Sequence, residues 1–243
     1  MRPIVAGNWK MNGLAAPSLA LATALRDAAP SLPCDLVVCP PFTQLTALAA
    51  ALRGSAVALG AQDCHQIDSG PHTGDISAPM LAECGATHVI LGHSERRLNH
   101  GEIDETVRQK AKAALAAGLT PIVCVGESAD QRAAGAHQDT VGWMIEGSLP
   151  EGFRGIVAYE PIWAIGAGSS ATAEDIAAMH AFVHAELSRQ FPGAAIPLLY
   201  GGSVNPGNAR DILAIPHVGG ALVGGASLNA EDFLAIARAA TPG

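Results

Sequence analysis

The chain lacks a long uninterrupted hydrophobic run. Hydrophobic residues make up 49% of its 243 positions, yet no apolar stretch approaches the ~18 residues that a membrane-spanning helix needs. Met1, Arg2 and Pro3 lead directly into an apolar segment, without the charged and apolar regions of a secretory signal. The sequence therefore predicts a cytoplasmic protein with no membrane partner.

Positive charge is also scarce. The chain has 14 lysine and arginine residues against 22 aspartate and glutamate residues, which gives a formal net charge of −8. This balance argues against nucleic acid or an anionic membrane as the main partner. An anionic substrate would have to be bound by local groups, because the field of the whole molecule opposes it.

Cysteine is present only as five scattered residues, an odd number, with no Cys-x-x-Cys pair. Reduced thiols in a cytosolic protein are the simplest interpretation. A catalytic cysteine is disfavoured because none stands beside a histidine-rich motif. The chain also lacks a linker, a low-complexity tract and a block of like charges, so a single domain over residues 1–243 is expected.

Short apolar runs alternate with longer alanine-rich segments along the whole chain. The eight candidate strands are "IVAGN" from Ile4, "DLVVCP" from Asp35, "AVALGAQ" from Ala56, "HVILG" from His88, "TPIVCVG" from Thr120, "GIVAYE" from Gly155, "IPLLYGG" from Ile196 and "GALVGG" from Gly220. They are continuously apolar rather than alternating, which is typical of parallel strands covered on both faces.

The segments between these strands carry helix signals. Thr172 and Asn229 each precede an aspartate by three residues, as helix N-caps do, and Gly118 ends an alanine-rich stretch. Eight β–α units in this length predict a single (β/α)8 barrel of eight parallel strands. An open doubly wound sheet is the alternative, although the missing G-x-G-x-x-G after the first strand counts against its dinucleotide-binding form.

In such a barrel the functional groups lie at the carboxyl ends of the strands. Polar residues follow three of the predicted strands: Asn8 and Lys10 after the first, His93, Ser94 and Glu95 after the fourth, and Glu160 after the sixth. Gly201-Gly202 and Gly224-Gly225 end the last two strands, where barrels often bind a phosphate through backbone N–H groups.

Each of these residues has an ordinary explanation when taken alone. Lys10 fits a surface lysine, His93 a helix cap, and the glycine pairs fit tight turns. Glu160 is harder to explain in this way, because a carboxylate on a buried strand costs free energy unless it is paired or used. The barrel would bring all of them to one mouth, and this convergence favours a functional site.

Five segments together resemble the signature segments of the triosephosphate isomerase family. They are "AGNWKMN", "GHSERR", "AYEPIWAIGAG", "YGGSV" and "LVGGASL", and "TGDISAPML" from Thr73 is similar to a further segment of the family. They occur in the family's order and span essentially the whole chain. The resemblance implies a TIM barrel that interconverts D-glyceraldehyde 3-phosphate and dihydroxyacetone phosphate, in glycolysis and gluconeogenesis.

The resemblance also implies a role for each site residue. Glu160 would be the base, His93 the electrophile, and Asn8 and Lys10 would bind the substrate and stabilise charge, with Lys10 oriented by Glu95. Gly166, Ser203, Gly224 and Gly225 would bind the phosphate. Ser94 and Thr73 would support the site, and a homodimer is implied. The segment "QDCHQIDSGPHTGD" is too long for a simple β–α connection, so we expect it to insert beside a neighbour's site, with Thr73 near the partner's Asn8 and the partner's Lys10. No metal and no cofactor are implied.

The chemistry of aldose–ketose interconversion fits these residue types. One carboxylate can take a proton next to a carbonyl and return it one carbon over, while an imidazole N–H and an ammonium stabilise the enediolate. The helical turn expected at "SERR" would disfavour a charged His93. The segment "PIWAIGAG" from Pro161 is expected to be a lid over Glu160.

Two other functions stay open from the sequence. A related isomerase of the same fold would act on a four-carbon ketose phosphate, and sequence alone does not size the pocket. A barrel that serves only as a scaffold or binding module would be expected to lose Glu160, His93 or Lys10, and all three are present.

Overall fold

Eight parallel strands form a closed barrel in the computed structural model, which describes residues 2–165 and 171–240. Each strand pairs with the next in chain order, and β8 pairs with β1 to close the ring. The strands are β1 (Ile4–Asn8), β2 (Asp35–Cys39), β3 (Val57–Ala61), β4 (His88–Leu91), β5 (Thr120–Val125), β6 (Ile156–Tyr159), β7 (Leu198–Tyr200) and β8 (Gly220–Val223). The predicted (β/α)8 barrel is confirmed, and each strand lies within the run that predicted it.

The helices surround the barrel. Those within the described residues are α1 (Ala15–Ala28), α2 (Leu45–Leu52), α3 (Ala78–Glu83), α4 (Ser94–His100), α5 (Asp104–Ala116), α6 (Ala129–Ala133), α7 (His137–Ser148), α8 (Ala173–Gln190), α9 (Ala209–Leu213) and α10 (Ala230–Ala239). Thr172 caps α8 in a reciprocal capping box with Asp175, and Asn229 caps α10. Gly118 follows α5 with φ +77°, a left-handed conformation that glycine adopts without strain. The three predicted helix boundaries are confirmed.

The strands are apolar on both faces because they separate two cores. Side chains that point inward fill the barrel, and those that point outward pack against the helices. The inner cluster consists of Ala6, Val37, Cys39, Ile90, Ile122, Cys124, Ile156, Ala158, Leu199 and Leu222. The barrel interior is therefore packed with side chains. Any cavity at the carboxyl ends of the strands is closed from below by this packing.

Two strands are followed by a pair of helices instead of one. After β4 the chain forms the short helix α4, turns at Gly101 with φ +67°, and continues as α5. After β5 it forms the short helix α6 before α7. Each extra helix begins at the mouth of the barrel, so it presents its amino-terminal turn beside the strand ends.

The thiols and the helices bear on two expectations from the sequence. All five cysteines are free thiols, four of them buried. Within residues 2–165 and 171–240, no helix combines the length and the hydropathy needed to cross a bilayer.

Candidate active site

A cavity of about 330 Å³ opens at the carboxyl ends of the strands. The residues around it come from β1, from β8, and from the segments that follow β1, β4, β6, β7 and β8. They are Asn8, Lys10, His93, Glu160, Ile165, Gly201, Gly202, Ser203, Val204, Asn205, Leu222, Gly224, Gly225 and Ala226. Nine of the residues singled out in the sequence thus line one cavity: Asn8, Lys10, His93, Glu160, Gly201, Gly202, Ser203, Gly224 and Gly225.

Glu160 lies at the end of β6 and is only 2% exposed. One carboxylate oxygen accepts the backbone N–H of Ser94 at 3.0 Å, and the other lies 2.9 Å from Nε2 of His93. Gly201 makes room for the side chain, since a Cβ at that position would lie 2.9 Å from Cγ of Glu160. The buried carboxylate is therefore paired and hydrogen-bonded, as burial of a charge requires.

His93 is the N-cap residue of α4. Its Nδ1 accepts the backbone N–H of Glu95 at 3.2 Å, so Nδ1 carries no proton in this arrangement. In the neutral ring the proton is then on Nε2, which faces Glu160 and the cavity. The cap thus selects the tautomer that presents an N–H donor to the cavity.

The pKa of His93 differs in direction from what the helix terminus alone predicts. Burial of the ring opposes protonation, but the charge of Glu160, its hydrogen bond and the charge of Glu95 together outweigh burial, and the pKa is raised above its usual value. The contact responsible is the 2.9 Å pair between Nε2 and Oε1 of Glu160. The helix N-terminus follows His93 directly in the sequence, whereas this carboxylate reaches the ring only in the folded barrel.

Lys10 is held in an uncommon backbone conformation, with φ +52°. Its backbone N–H donates to Oδ1 of Asn8 at 3.0 Å, and its Nζ pairs with Oε1 of Glu95 at 2.5 Å. A positive φ in a residue other than glycine costs free energy and persists only where the surroundings fix it. The pairing of Lys10 with Glu95, which the resemblance implied, is present in the structure.

Gln62 contributes to this conformation and was not singled out in the sequence. Its side-chain amide donates to the carbonyl oxygens of Lys10 at 2.9 Å and of Cys39 at 2.8 Å. It thereby ties the segment after β1 to the ends of β2 and β3. Gln62 follows β3 directly, and its position at a strand end was the available signal.

The far side of the cavity is formed by backbone after β7 and β8. Ser203 is fixed through its carbonyl oxygen, which accepts the side-chain amide of Asn208 at 3.0 Å. A Cβ on Gly224 would approach Cε of Lys10 at 3.6 Å, whereas one on Gly225 would meet no atom within 4 Å. Both glycines keep side chains out of the rim, so backbone groups can approach a bound anion closely.

Glu127 organises the segment that follows Glu160, and it was not singled out in the sequence. The carboxylate is completely buried after β5 and accepts hydrogen bonds from the Tyr159 hydroxyl at 3.0 Å and the Trp163 indole at 2.8 Å. Arg132 of α6 pairs with Glu127 at 3.3 Å, and its guanidinium lies 4.8 Å from the Trp163 ring centroid. The rule that found Glu160, an acid at the end of an apolar strand, would also have found Glu127.

Trp163 is thus held by polar contacts to Glu127 and by the guanidinium of Arg132 over its ring. The far end of the same segment is fixed by the Thr172 cap, and Asp175 of that cap also pairs with Arg132. Both ends of the expected lid are therefore tied to one arginine. Gly166, Gly168, Ser169 and Ser170 lie outside the described residues.

Ser94, Glu95 and Thr73 do not line the cavity. Ser94 and Glu95 adjoin it through their bonds to Glu160, His93 and Lys10. Thr73 lies on the exposed segment between β3 and α3. Its expected place beside a partner subunit stays a prediction.

The groups at the cavity suit proton transfer next to a carbonyl. A carboxylate, an imidazole N–H and an ammonium converge on one small space whose opposite rim is glycine-rich backbone. The carboxylate can accept a carbon-bound proton, and the two donors can stabilise negative charge on oxygen.

Comparison with known proteins points to one family. A family model described as triosephosphate isomerase matches residues 3–240. A triosephosphate isomerase of Gluconacetobacter diazotrophicus is 60% identical, with 99% of each chain covered, and one of Granulibacter bethesdensis is also 60% identical, with 98% of this chain and 99% of the relative covered. The crystal structure of triosephosphate isomerase from Bartonella henselae matches with a TM-score of 0.92 at 46% identity and covers 98% of this chain and 99% of that one. The chain therefore belongs to the triosephosphate isomerase family.

Proposed function

We propose that this protein interconverts D-glyceraldehyde 3-phosphate and dihydroxyacetone phosphate through an enediolate, and that one barrel domain carries the whole activity. The observation that carries the proposal is the convergence of Glu160, His93 and Lys10 on a cavity of about 330 Å³. That volume suits a small phosphorylated sugar. Family membership supports the same reaction.

Glu160 is the proposed base. It would remove a proton from one carbon of the substrate and return it to the neighbouring carbon, which a single carboxylate between the two carbons can do. Its oxygens are now engaged by Ser94 and His93. The carboxylate must therefore leave these partners and turn into the cavity when substrate binds, and Gly201 provides space beside its Cγ.

His93 is the proposed hydrogen-bond donor to the substrate oxygens. The Glu160 carboxylate is the main group that raises the pKa of His93, and the charge of Glu95 adds to it. When Glu160 turns to the substrate and takes up a proton, its influence is lost and only Glu95 still favours an imidazolium. Burial, the start of α4 and the Lys10 ammonium oppose it. The reacting histidine is then neutral, with its proton on Nε2.

Lys10 and the glycine rim are the proposed anion site. The ammonium faces the cavity from β1, and Ser203, Gly224 and Gly225 face it from the other side. Asn8 fixes the backbone of Lys10, and Gly166 is proposed as a further phosphate contact. A local cation and oriented backbone dipoles offset the repulsion from a protein of net charge −8.

The protein is proposed to act as a cytoplasmic homodimer. Large apolar side chains stay exposed next to the mouth of the barrel, including Met11 (96% exposed), Leu14 (77%) and Leu98 (71%). Exposed apolar groups of this size mark interaction surfaces when they cluster. Ile67, 46% exposed on the segment that carries Thr73, adds a fourth such group.

A coupled assay tests the reaction. Purified protein is given glyceraldehyde 3-phosphate and, in parallel, a four-carbon ketose phosphate. We expect turnover of the triose phosphate with a kcat/KM at least about tenfold higher than for the longer substrate, because the site is small. Glu160→Gln, which keeps the shape of the side chain, is the control for a contaminating enzyme and should abolish both signals. Equal turnover of both substrates, or turnover that survives Glu160→Gln, would overturn the proposal.

A further inference from the structure

Outside the barrel mouth, two histidines and an aspartate converge on the long segment between β3 and α3. One ligand atom from each of His65, His72 and Asp75 lies within 4.8 Å of the other two. Nε2 of His65 is 3.6 Å from Oδ2 of Asp75, and the His65 and His72 rings are 4.1 Å apart, tilted by 35°. This is the one such three-residue group of potential metal ligands among the residues that the structure describes.

We propose that His65, His72 and Asp75 bind a divalent transition-metal ion of the zinc class. Two imidazoles and one carboxylate form a ligand set that zinc accepts, and imidazole favours transition metals over Mg²⁺ and Ca²⁺. Tetrahedral coordination at bond lengths of about 2.0–2.2 Å separates ligand atoms by roughly 3.3 Å. The His65–Asp75 separation is close to that value, so these two ligands need to move little. The His72 ring is the one that must move most to complete the coordination.

The backbone already holds the three ligands together. The N–H of His65 donates to the carbonyl oxygen of Ile76 at 2.8 Å, and residues 65 and 77 form a parallel bridge. The N–H of Asp75 donates to the carbonyl oxygen of His72 at 3.1 Å. A site whose ligands are pre-positioned loses less conformational entropy when it binds an ion.

Binding requires one local change. Nδ1 of His65 now accepts the backbone N–H of Ile67 at 3.1 Å, so the proton of the neutral ring is on Nε2. If Nε2 is to donate its lone pair to a metal, the proton must move to Nδ1, and the Ile67 N–H loses its acceptor. The amide of Ile67 is therefore a reporter of ligation through His65.

The site is separate from the proposed reaction. None of the three residues lines the cavity of Glu160, and no step described for the substrate needs a metal. A bound ion would fix the residues on both sides of Thr73, and so would stiffen the segment proposed to meet a second subunit. The site itself requires neither the dimer nor catalysis.

Metal titration of the chelator-treated, dialysed protein tests the proposal. Zn²⁺ is titrated calorimetrically, and Co²⁺ is followed by its visible absorption, whose strength reports tetrahedral coordination. We expect one ion per chain, an increase in thermal stability with added Zn²⁺, and no displacement by excess Mg²⁺. The Ile67 amide resonance should move on zinc binding.

Variants at the two outer ligands locate the site. His72→Gln and Asp75→Asn should each weaken binding at least about tenfold, since loss of one ligand costs at least as much as loss of an outer-shell partner. His100→Gln and His184→Gln, at exposed histidines elsewhere, are the matched controls and should bind like the unchanged protein. The proposal is overturned if the unchanged protein takes up no stoichiometric ion, if both ligand variants bind as tightly as it does, or if the Ile67 amide does not respond. Isomerase activity is measured alongside and is expected to be the same with and without Zn²⁺.

Discussion

Glu160 is the residue on which the proposed chemistry depends most closely. It is fixed by short contacts to Ser94 and His93, yet it has to reach two carbons of a substrate in the cavity. The proposed proton transfer therefore depends on both the length and the charge of the Glu160 side chain. Changes that keep the charge and alter the reach separate these two properties.

Glu160→Asp withdraws the carboxylate by roughly 1 Å and should lower kcat on the order of 10²-fold, with a smaller change in KM. The measurement is steady-state kinetics with glyceraldehyde 3-phosphate. Glu83→Asp, the same substitution at an exposed position at the end of α3, is the control and should leave both constants unchanged. A Glu160→Asp enzyme within threefold of the unchanged one would remove Glu160 from the role of base.

Lys10→Met removes the cation that faces the substrate while keeping a long side chain. Both turnover and binding of a phosphate-bearing inhibitor should weaken, because no other ammonium among the described residues lines the cavity. The inhibitor constant is measured at low and high ionic strength, and the difference between the two should shrink in the variant. Inhibitor binding as tight as before would contradict the electrostatic role. Lys112→Met, on the exposed side of α5, is the matched control.

At the scale of secondary-structure elements, the strands were the most predictable part of the molecule. Short continuous apolar runs such as that of β2 are typical of strands that are buried on both faces. The ends of these runs in the sequence then gave the positions of Glu160, His93 and Lys10. The sequence could not show which strand ends share hydrogen bonds. Gln62 and Glu127 also stand at strand ends, so their positions were predictable, but their partners, Lys10 and Trp163, are brought to them only by the closed barrel.

The direction of the His93 pKa shift was missed for the same reason. The helix start that disfavours a cation is local in sequence, whereas the carboxylate that favours it is 67 residues away, as the numbering shows. Local signals therefore predict elements and caps well. Electrostatics at the site depends on contacts between elements, which a single sequence does not reveal.

The lid element is expected to protect the intermediate. An enediolate phosphate can expel phosphate, and a closed, dry site should suppress this side reaction. Deleting residues 165–168 leaves Lys10, Ser203 and Gly224 in place, so substrate should still bind and lose its proton to Glu160. Isomerisation should fall, and the fraction of turnovers ending in methylglyoxal should rise. Both products are measured in one sample, and a fall in isomerisation without more methylglyoxal per turnover would limit the lid to binding.

The packing of α8 against β6 and β7 should depend on pH. His180 of α8 is fully buried edge-on to the Tyr159 ring, with centroids 5.9 Å apart. Burial lowers the pKa of His180 to about 4. In the unfolded chain this histidine has an ordinary pKa near 6.5, so below that pH it binds a proton in the unfolded state but not in the folded state. The free energy of unfolding should therefore fall as the pH drops from about 6.5 to about 4. Over that range the loss is about 3 kcal/mol from this group.

Urea unfolding at several pH values between about 4 and about 7 measures this effect. His180→Phe should show a shallower loss of stability toward low pH than the unchanged protein, even if it is less stable overall. His100→Phe at the exposed end of α4 is the control and should keep the full slope. Equal slopes for all three proteins would mean that His180 does not titrate as described.

At the scale of the whole molecule, the segment between β3 and α3 is longer than a connection within one barrel requires. It leaves a large exposed surface around Thr73 and Ile67, and long ordered loops are usually functional. The proposed homodimer accounts for it by placing Thr73 near the partner subunit's Lys10. Activity should then depend on assembly.

Thr73→Arg should give a protein that sediments as a monomer and has lost most of its activity, and the unchanged protein should lose activity on dilution. Arginine at Thr73 places bulk and charge where the two subunits are proposed to meet, and burying an unpaired charge opposes association. Ala185→Arg, on the exposed face of α8, is the control and should sediment and react normally. A monomer with full activity would rule out the role proposed for the segment.

The ring closure between β1 and β8 also has a consequence for how the protein is made. β8 is the last strand to be synthesised, beginning at Gly220, and β1 begins at Ile4. At synthesis rates of about 5–20 residues per second, the partner of β1 appears roughly 10 to 45 s after β1 itself. During that time the nascent sheet has an unpaired apolar edge on β1, of the kind that templates intermolecular pairing. The yield of this barrel should therefore depend on translation speed and on early chaperone contact with β1.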